Sequence, residues 1–409
     1  MWLRRSFCRT SPIVQNTHPP VAAIIAATAV GPFALNVFMP SMPGLQTAFS
    51  TDYGTVQLTL TLFLAGMAVA QLVHGPLSDR FGRRPVLLWG LALCLAASLA
   101  GAVAAGIGML VLARVVQAVG GSAGMVVGRV ILRDLYSRDK AASMLAYVTM
   151  AMVVMPMIAP AVGGFLDEWF GWRASFLAVA ALSAAVLAIT ALTVGETNHN
   201  RQSLPGLAPM LASYGMLLRK PAFCFYSAQL GFSTAVFFSF LGGAPYVMLE
   251  LMGRPPSEYG LYFALSALGY MLGNFVAGRR SSQWGNWRMI GIGTTCTLVG
   301  GLLLFAQMAA GLLTPLGMFI AMAVITCGNG MSLPNGLAGA VSVEPRAAGA
   351  ASGLAGFLQM ALGAVASLWV GHLLKDTAWP LVLFMLGAAI LAFLSWLLSP
   401  KEEPNEEKG

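Results

Sequence analysis

At 409 residues, 57% hydrophobic and 9% charged, the chain carries far less charge than the ~25% of a soluble domain, which excludes a water-soluble surface. Its net charge of +8 would favour nucleic acid in a soluble protein, but no basic stretch is interleaved with aromatics, so the expected partner is the lipid bilayer and not nucleic acid. The five cysteines, Cys8, Cys94, Cys224, Cys296 and Cys327, make no CxxC or Cys/His spacing, so no metal, disulfide or other cofactor is expected.

In chain order, Arg4, Arg5 and Arg9 come first and resemble the start of a secretory signal. A second apolar run follows the first almost at once, so they are read as a cytoplasmic tail holding helix 1. Twelve apolar runs lie at about 21–38, 57–77, 85–106, 109–132, 142–166, 172–194, 222–248, 259–278, 288–309, 314–338, 347–373 and 379–398. Each suits one membrane-spanning helix of about 20 residues, and none alternates as a barrel strand would. With the N-terminus inside, nineteen Lys and Arg fall in cytoplasmic connections, three (Arg173, Arg254, Lys375) fall outside, and Arg114 lies within a helix. That asymmetry predicts an even helix number with both termini cytoplasmic. The longest polar connection, Gly195 to Lys220, divides the chain into a first six-helix half (1–200), a cytoplasmic linker (201–221) and a second six-helix half with an acidic tail (222–409). The expected fold is an all-α membrane protein whose halves rock about a site near the bilayer midplane.

The connection between helices 2 and 3 reads GPLSDRFGRRP, residues 75–85. Gly75 leaves room for another helix, and Asp79 is a lone carboxylate among Arg80, Arg83 and Arg84. Gly82 permits a tight turn and Pro85 suits a helix start. Inside helix 4, Arg114 precedes Gln117 by one turn, with Gly120, Gly121 and Gly124 beyond. A charge there costs about 2.5–3.5 kcal/mol on insertion scales, so water, a carbonyl or a carboxylate has to offset it, unless the side chain snorkels to the outer leaflet. Helix 5 reads MPMIAPAVGG over 155–164, where Pro156 and Pro160 loosen the backbone ladder and Gly163-Gly164 offer a close-packing surface. Arg133-Asp134 closes helix 4 on the cytoplasmic side.

The 75–85 segment resembles the loop signature of the major facilitator superfamily, G-x-L-x-D-R-x-G-R-R. Arg114 and Gln117 resemble that family's fourth-helix pattern, R-x-x-Q-G. Residues 155–164 resemble its fifth-helix antiporter motif, G-P-x-x-G-G, with Ala159 where Gly is usual, and GWRASF at 171–176 resembles the start of helix 6. GRVILRDLY (128–136), MPSMPGL (39–45) and DTAWP (376–380) extend the likeness to the bicyclomycin and chloramphenicol/florfenicol type drug:proton antiporters. The resemblance implies the major facilitator fold, function as a monomer, and a conformational latch of Gly75, Asp79, Arg80, Gly82, Arg83 and Arg84. The latch would engage the start of helix 11, where Gly349, Ser352 and Gly353 are small. It also implies that Arg114 faces the central cavity and tunes a nearby acid. The matching loop of the second half, Gly278-Arg279-Arg280, lacks the acid, so the latch would be asymmetric.

Helix 1 departs from the pattern. Relatives show Asp-x-Tyr-Leu-Pro, whereas this chain has Asn36-Val37-Phe38-Met39-Pro40. Asn36 does not titrate, and either hydrogen-bonds a substrate or glues helices together. The acids left for coupling are Asp134, which Arg129 and Arg133 should hold ionised, Asp79, Glu250 and Glu258, with His74 titrating in a useful range. Cavity candidates are Met39, Met125, Met152, Phe237, Phe238, Asn335 and Gln359, each equally suited to ordinary packing. The function expected is efflux of an amphiphilic small molecule, a drug or drug-like metabolite, across the bacterial inner membrane, driven by a proton gradient. An uncoupled facilitator or an exporter of an endogenous metabolite is the alternative. The absence of HExxH, GxSxG and P-loop patterns argues against an enzyme.

Overall fold

A computed structural model describes residues 21–135, 138–198, 207–344 and 347–399. Its helices are α1 (Val21–Val37), α2 (Gly44–Phe49), α3 (Tyr53–Phe81), α4 (Arg83–Ala102), α5 (Ile107–Leu135), α6 (Arg138–Phe170) and α7 (Arg173–Thr193). They continue as α8 (Leu207–Leu218), α9 (Pro221–Tyr246), α10 (Pro256–Trp284), α11 (Asn286–Ala309), α12 (Pro315–Ser342), α13 (Ala348–Leu373) and α14 (Trp379–Leu397). Among the described residues, eleven helices are long and apolar enough to cross a membrane. The 33-residue α6 stands at the place of the fifth apolar run. Each of the twelve runs overlaps one long helix to within a few residues at its ends, while α2 and α8 are additions that periodicity alone left as connections.

Local chemistry sets the boundaries. Asp52 caps α3, its carboxylate accepting the Thr55 backbone N–H at 3.0 Å and the Thr55 hydroxyl at 2.7 Å. Thr314 caps α12 in the same way, accepting from the Gly317 N–H at 3.1 Å. Gly82, at φ 105°, turns the chain from α3 into α4 in a region that disfavours side chains.

Helices α1 and α3 to α7 pack among themselves, and so do α9 to α14. The two sets meet mainly through α3 against α13 and α6 against α10. At the end where α3 begins, this contact is close. The Tyr53 hydroxyl donates to the Gly242 carbonyl at 2.6 Å, Gln57 bonds the Ser367 hydroxyl, and the Tyr53 and Tyr246 rings lie 4.6 Å apart. At the opposite end, where α3 passes into α4, Gly75 and Gly349 both face open space where a side chain would stand. The orientation expected from the Lys and Arg distribution would put the closed end outside. α8 packs on α9 and α13, and Lys220 pairs with Glu344 at 2.6 Å, so the segment expected as a linker carries a helix docked on the second set.

Candidate functional site

The turn at Gly82 presents Arg83 inward, 8% exposed. Its guanidinium pairs with Asp79 one turn back on α3, donates to the Ser78 hydroxyl at 2.7 Å, and reaches Asp134 at the end of α5 at 3.2 Å. Glu196, in the segment after α7, accepts backbone N–H bonds from Arg83 at 2.9 Å, Thr197 at 2.9 Å and Asn198 at 2.8 Å. Asn198 returns a bond to the Asp79 carbonyl at 2.8 Å, and the Thr197 hydroxyl donates to Asp134 at 3.2 Å. A side chain at Gly82 would strike the Glu196 carboxylate. Arg84 donates to the Ala191 carbonyl at 2.9 Å, and Arg80 stands exposed against Phe81.

This knot is built within the first set of helices. At the start of α13, Gly353 lies beside Leu72 of α3, two turns short of the knot, while the positions a side chain would take at Gly75 and Gly349 are open. Asp134 finds a cation from α4 as well as having basic neighbours in its own helix, and the Arg133 side chain lies outside the described residues. Glu196 is the member that sequence reasoning missed. The one local sign of it is the demand at Gly82 for a residue without a side chain.

Arg114, in the third turn of α5, is fully buried. It donates to the Ala34 carbonyl at 2.9 Å and to Gln117 Oε1 at 2.6 Å, and Gln117 Nε2 donates to the Ser98 hydroxyl at 2.8 Å. The guanidinium carbon lies 4.1 Å from the Phe63 ring centre and 4.6 Å from that of Phe38. Desolvated cation–π contacts contribute about 2 kcal/mol each and hydrogen bonds from a charged group about 1.5–3. Together they offset the insertion cost without a carboxylate and without snorkelling. Nε and Nη2 keep no partner. The residue is therefore clasped between α1, α3 and α5, and neither it nor Gln117 lines the cavity described below.

Asn36 is 2% exposed and donates to the Pro32 carbonyl of its own helix at 2.8 Å, leaving Oδ1 without a partner. That bond does not join two helices. His74 Nδ1–H donates to the Ala70 carbonyl at 2.6 Å, which fixes that ring nitrogen as a local donor.

The α6 motif has separable parts. Gly163 lies against the Val37 carbonyl of α1, and Gly164 lies against Pro256 and Ser257 at the start of α10. Gly260 meets Pro160 and Ala161 from the other side. Small residues thus let the two sets touch backbone to backbone at the closed end.

Pro156 faces inward to a cavity of about 190 Å³ whose other walls come from α9, α10, α12 and α13. Phe237, Phe238, Phe263 and Tyr270 supply rings, and Thr234, Ser266, Thr326, Asn329 and Gln359 supply polar groups. Phe237 stands edge-on to Phe238 at 5.4 Å and to Phe263 at 6.5 Å. Gln359 donates to the Thr234 hydroxyl at 2.8 Å, and Asn329 donates to the Ser233 carbonyl at 3.1 Å. Among the described residues, none on the wall is charged. Of the sequence candidates, Phe237, Phe238 and Gln359 are there. Met39 is not: Pro40 tightens the chain after α1 into a short helical turn that drives Met39 fully into the core. Asn335 bonds the Met331 carbonyl of its own helix at 2.7 Å, Met125 packs on α1 near Gly31, and the Met152 side chain lies outside the described residues.

Two packed bundles of long apolar helices, the second holding a ring-lined cavity that Pro156 of the first borders, are the architecture of a multi-pass membrane transporter. Residues 24–367 match the family model described as Major Facilitator Superfamily, and the chain belongs to that family. It is 28% identical over 363 residues to a bicyclomycin resistance protein homolog of Haemophilus influenzae, covering 88% of this chain and 90% of the relative. It is 29% identical over 381 residues to multidrug resistance protein D of Escherichia coli, covering 91% and 94%. A chloramphenicol resistance protein of Pseudomonas aeruginosa is 29% identical over 371 residues, covering 87% and 84%. The likeness to the drug-resistance branch read from the motifs therefore holds. Among solved structures, a D-xylose–proton symporter superposes with a TM-score of 0.72 at 15% identity, covering 94% of this chain and 97% of that one. A bacterial homolog of the lysosomal transporter Spinster, inward-facing and unoccupied, gives 0.71 at 18% identity, covering 92% and 96%. Both share the fold.

Proposed function

We propose that this transporter exports an amphiphilic drug or drug-like metabolite across the bacterial inner membrane by alternating access, as a monomer of twelve spans with both termini cytoplasmic. The observation that carries the proposal is the ring-lined cavity between α9, α10, α12 and α13, with Pro156 of α6 closing it from the other set. Apolar walls with a few polar groups suit an amphiphile. The names of the relatives support the same cargo class. In this proposal the halves rock about the cavity, the Gly164–Pro256 and Gly260–Pro160 contacts close the outside, and the Asp79–Arg83–Asp134 knot is the latch held in reserve for the opposite state.

Exchange for protons is part of the proposal, with Asp134 and His74 as the residues to neutralise first. An uncoupled facilitator is the second possibility, and one observation favours it: Asn36 stands where the family resemblance implies an acid. Flux in proteoliposomes under an imposed pH gradient tests both. Accumulation against a concentration gradient, abolished by collapsing the pH gradient, is the expected result. Equilibration indifferent to pH would make the protein a facilitator, and no flux of phenicols, bicyclic antibiotics or lipophilic cations would sink the assignment.

A further inference from the structure

The second half repeats the turn that builds the knot. Gly285, at φ 79° and ψ 157°, starts α11 as Gly82, at φ 105° and ψ 153°, starts α4. Its N–H donates to the Ser281 carbonyl at 2.9 Å, as the Gly82 N–H does to that of Ser78 at 3.2 Å. With the two glycines matched, Ser282 takes the place of Asp79 and Asn286 that of Arg83. The backbone is kept, but the acid and its cation are gone. Two other cations, Arg279 and Arg280, stand exposed between one and two turns before the glycine. The guanidinium carbon of Arg279 lies 4.5 Å from the centre of the Phe275 ring, and that of Arg280 lies 5.5 Å from the Trp284 ring. Arg280 also donates to Gln283 Oε1 at 2.9 Å. Among the described residues, neither arginine is ion-paired. The acids described at this end are engaged elsewhere: Asp79, Asp134 and Glu196 in the knot, and Glu344 with Lys220.

The depth of the pair follows from the face it shares. Leu261, Leu268, Leu272 and Phe275 are exposed, and their spacing puts them on one face of α10, with Arg279 next in line after Phe275. That face is bare even beside Gly260, where the two sets touch, so it looks to lipid and not into the cleft between them. Arg279 lies eighteen residues beyond Leu261, about 27 Å of helix, close to the ~30 Å of hydrocarbon in a bilayer. The guanidinium therefore ends a lipid-facing stripe at the depth of phosphate groups. Each arginine at that depth strengthens the attraction of an anionic lipid about fivefold. A zwitterionic headgroup brings an ammonium as well, and among the described residues no carboxylate is free at this place to receive it.

We infer that this end of α10 binds an anionic phospholipid, its phosphate held between Arg279 and Arg280, with Phe275 and Trp284 fixing the two guanidinium groups. Its place in the cytoplasmic leaflet rests on the orientation proposed above; the binding does not, and neither depends on export. The purified full chain in detergent is titrated with short-chain phosphatidylglycerol carrying a dye on one acyl chain, and with phosphatidylethanolamine of the same chains and dye. Phosphatidylglycerol is expected to bind more tightly, and to weaken about fivefold in Arg279→Gln and in Arg280→Gln. Arg219→Gln removes another exposed cation at the same end and should leave the affinity unchanged. Replacing Glu402, Glu403, Glu406 and Glu407 together by Gln should leave it unchanged too. Both arginines are exposed, so their variants should keep the wild-type melting temperature when no lipid is added. Equal affinity for the two lipids, or an effect at Arg219 as large as at Arg279 and Arg280, would overturn the inference. Displacement by millimolar inorganic phosphate at constant ionic strength would do the same. Fivefold tighter binding once the tail acids are replaced would make the tail the occupant of the patch and overturn it as well.

Discussion

Arg83 joins two carboxylates from different helices while its own backbone N–H is held by a third, Glu196. Replacing it leaves Asp79 and Asp134 facing each other with their cation gone. Arg83→Gln is expected to destabilise the protein by about 2 kcal/mol, read as a lower apparent melting temperature, with Arg83→Lys intermediate because a point charge does not reach both acids in a fork. A change no larger than at exposed Arg80 would show the knot to be ornamental. Asp52 titrates outside the spans, and the Thr55 hydroxyl and backbone N–H that it accepts hold its carboxyl below the usual range. A depressed folded-state value stabilises above the unfolded value and is lost as pH falls through the folded one. The cap is worth about 1 kcal/mol, so Asp52→Ala should melt below the wild type at neutral pH and converge with it in acid below about pH 4. A gap that persists in acid would refute that account.

At the scale of helices, glycine decides which elements can touch. Gly163→Val would drive a side chain into the Val37 carbonyl within one set, whereas Gly164→Val would do so against Pro256 across the two sets. Overpacking of this kind costs about 1–3 kcal/mol. The first variant should therefore lower stability. The second should shift the equilibrium toward a state open at that end, seen as a longer spin-label distance between positions 170 and 254; an unchanged distance would count against it. The long helices were legible because each carries an apolar run long enough to cross a bilayer. α8 was not, because its Leu and Met residues sit inside a connection whose polar flanks resemble a loop. Within the site, the α6 glycines and the rings of α9 were legible from local pattern. The Glu196 partner, 113 residues from Arg83, and the set of rings and polar groups on the wall depend on which helix faces which. That is set by packing and not by spacing.

For the molecule as a whole, one end is sealed and the other is open. In a cysteine-free background, Gly349→Cys should react with a membrane-impermeant thiol reagent from the cytoplasmic side, while Gly260→Cys should resist it from either side. Labelling of Gly260→Cys from outside with Gly349→Cys protected would reverse the assignment of the open end. Cargo driving the cycle would exchange the two patterns as the halves rock.

Arg114 carries a full positive charge into the span, and no carboxylate lies within ion-pair reach of it among the described residues. If α5 shifts along the membrane normal during the cycle, that charge moves through the transmembrane voltage. A full crossing is worth about 2.3 kcal/mol per 100 mV, so a displacement of a tenth of the thickness is worth about 0.2. Beyond any charge the exchange itself moves, Arg114 would then add a weak dependence of rate on membrane potential, and Arg114→Gln would remove that part.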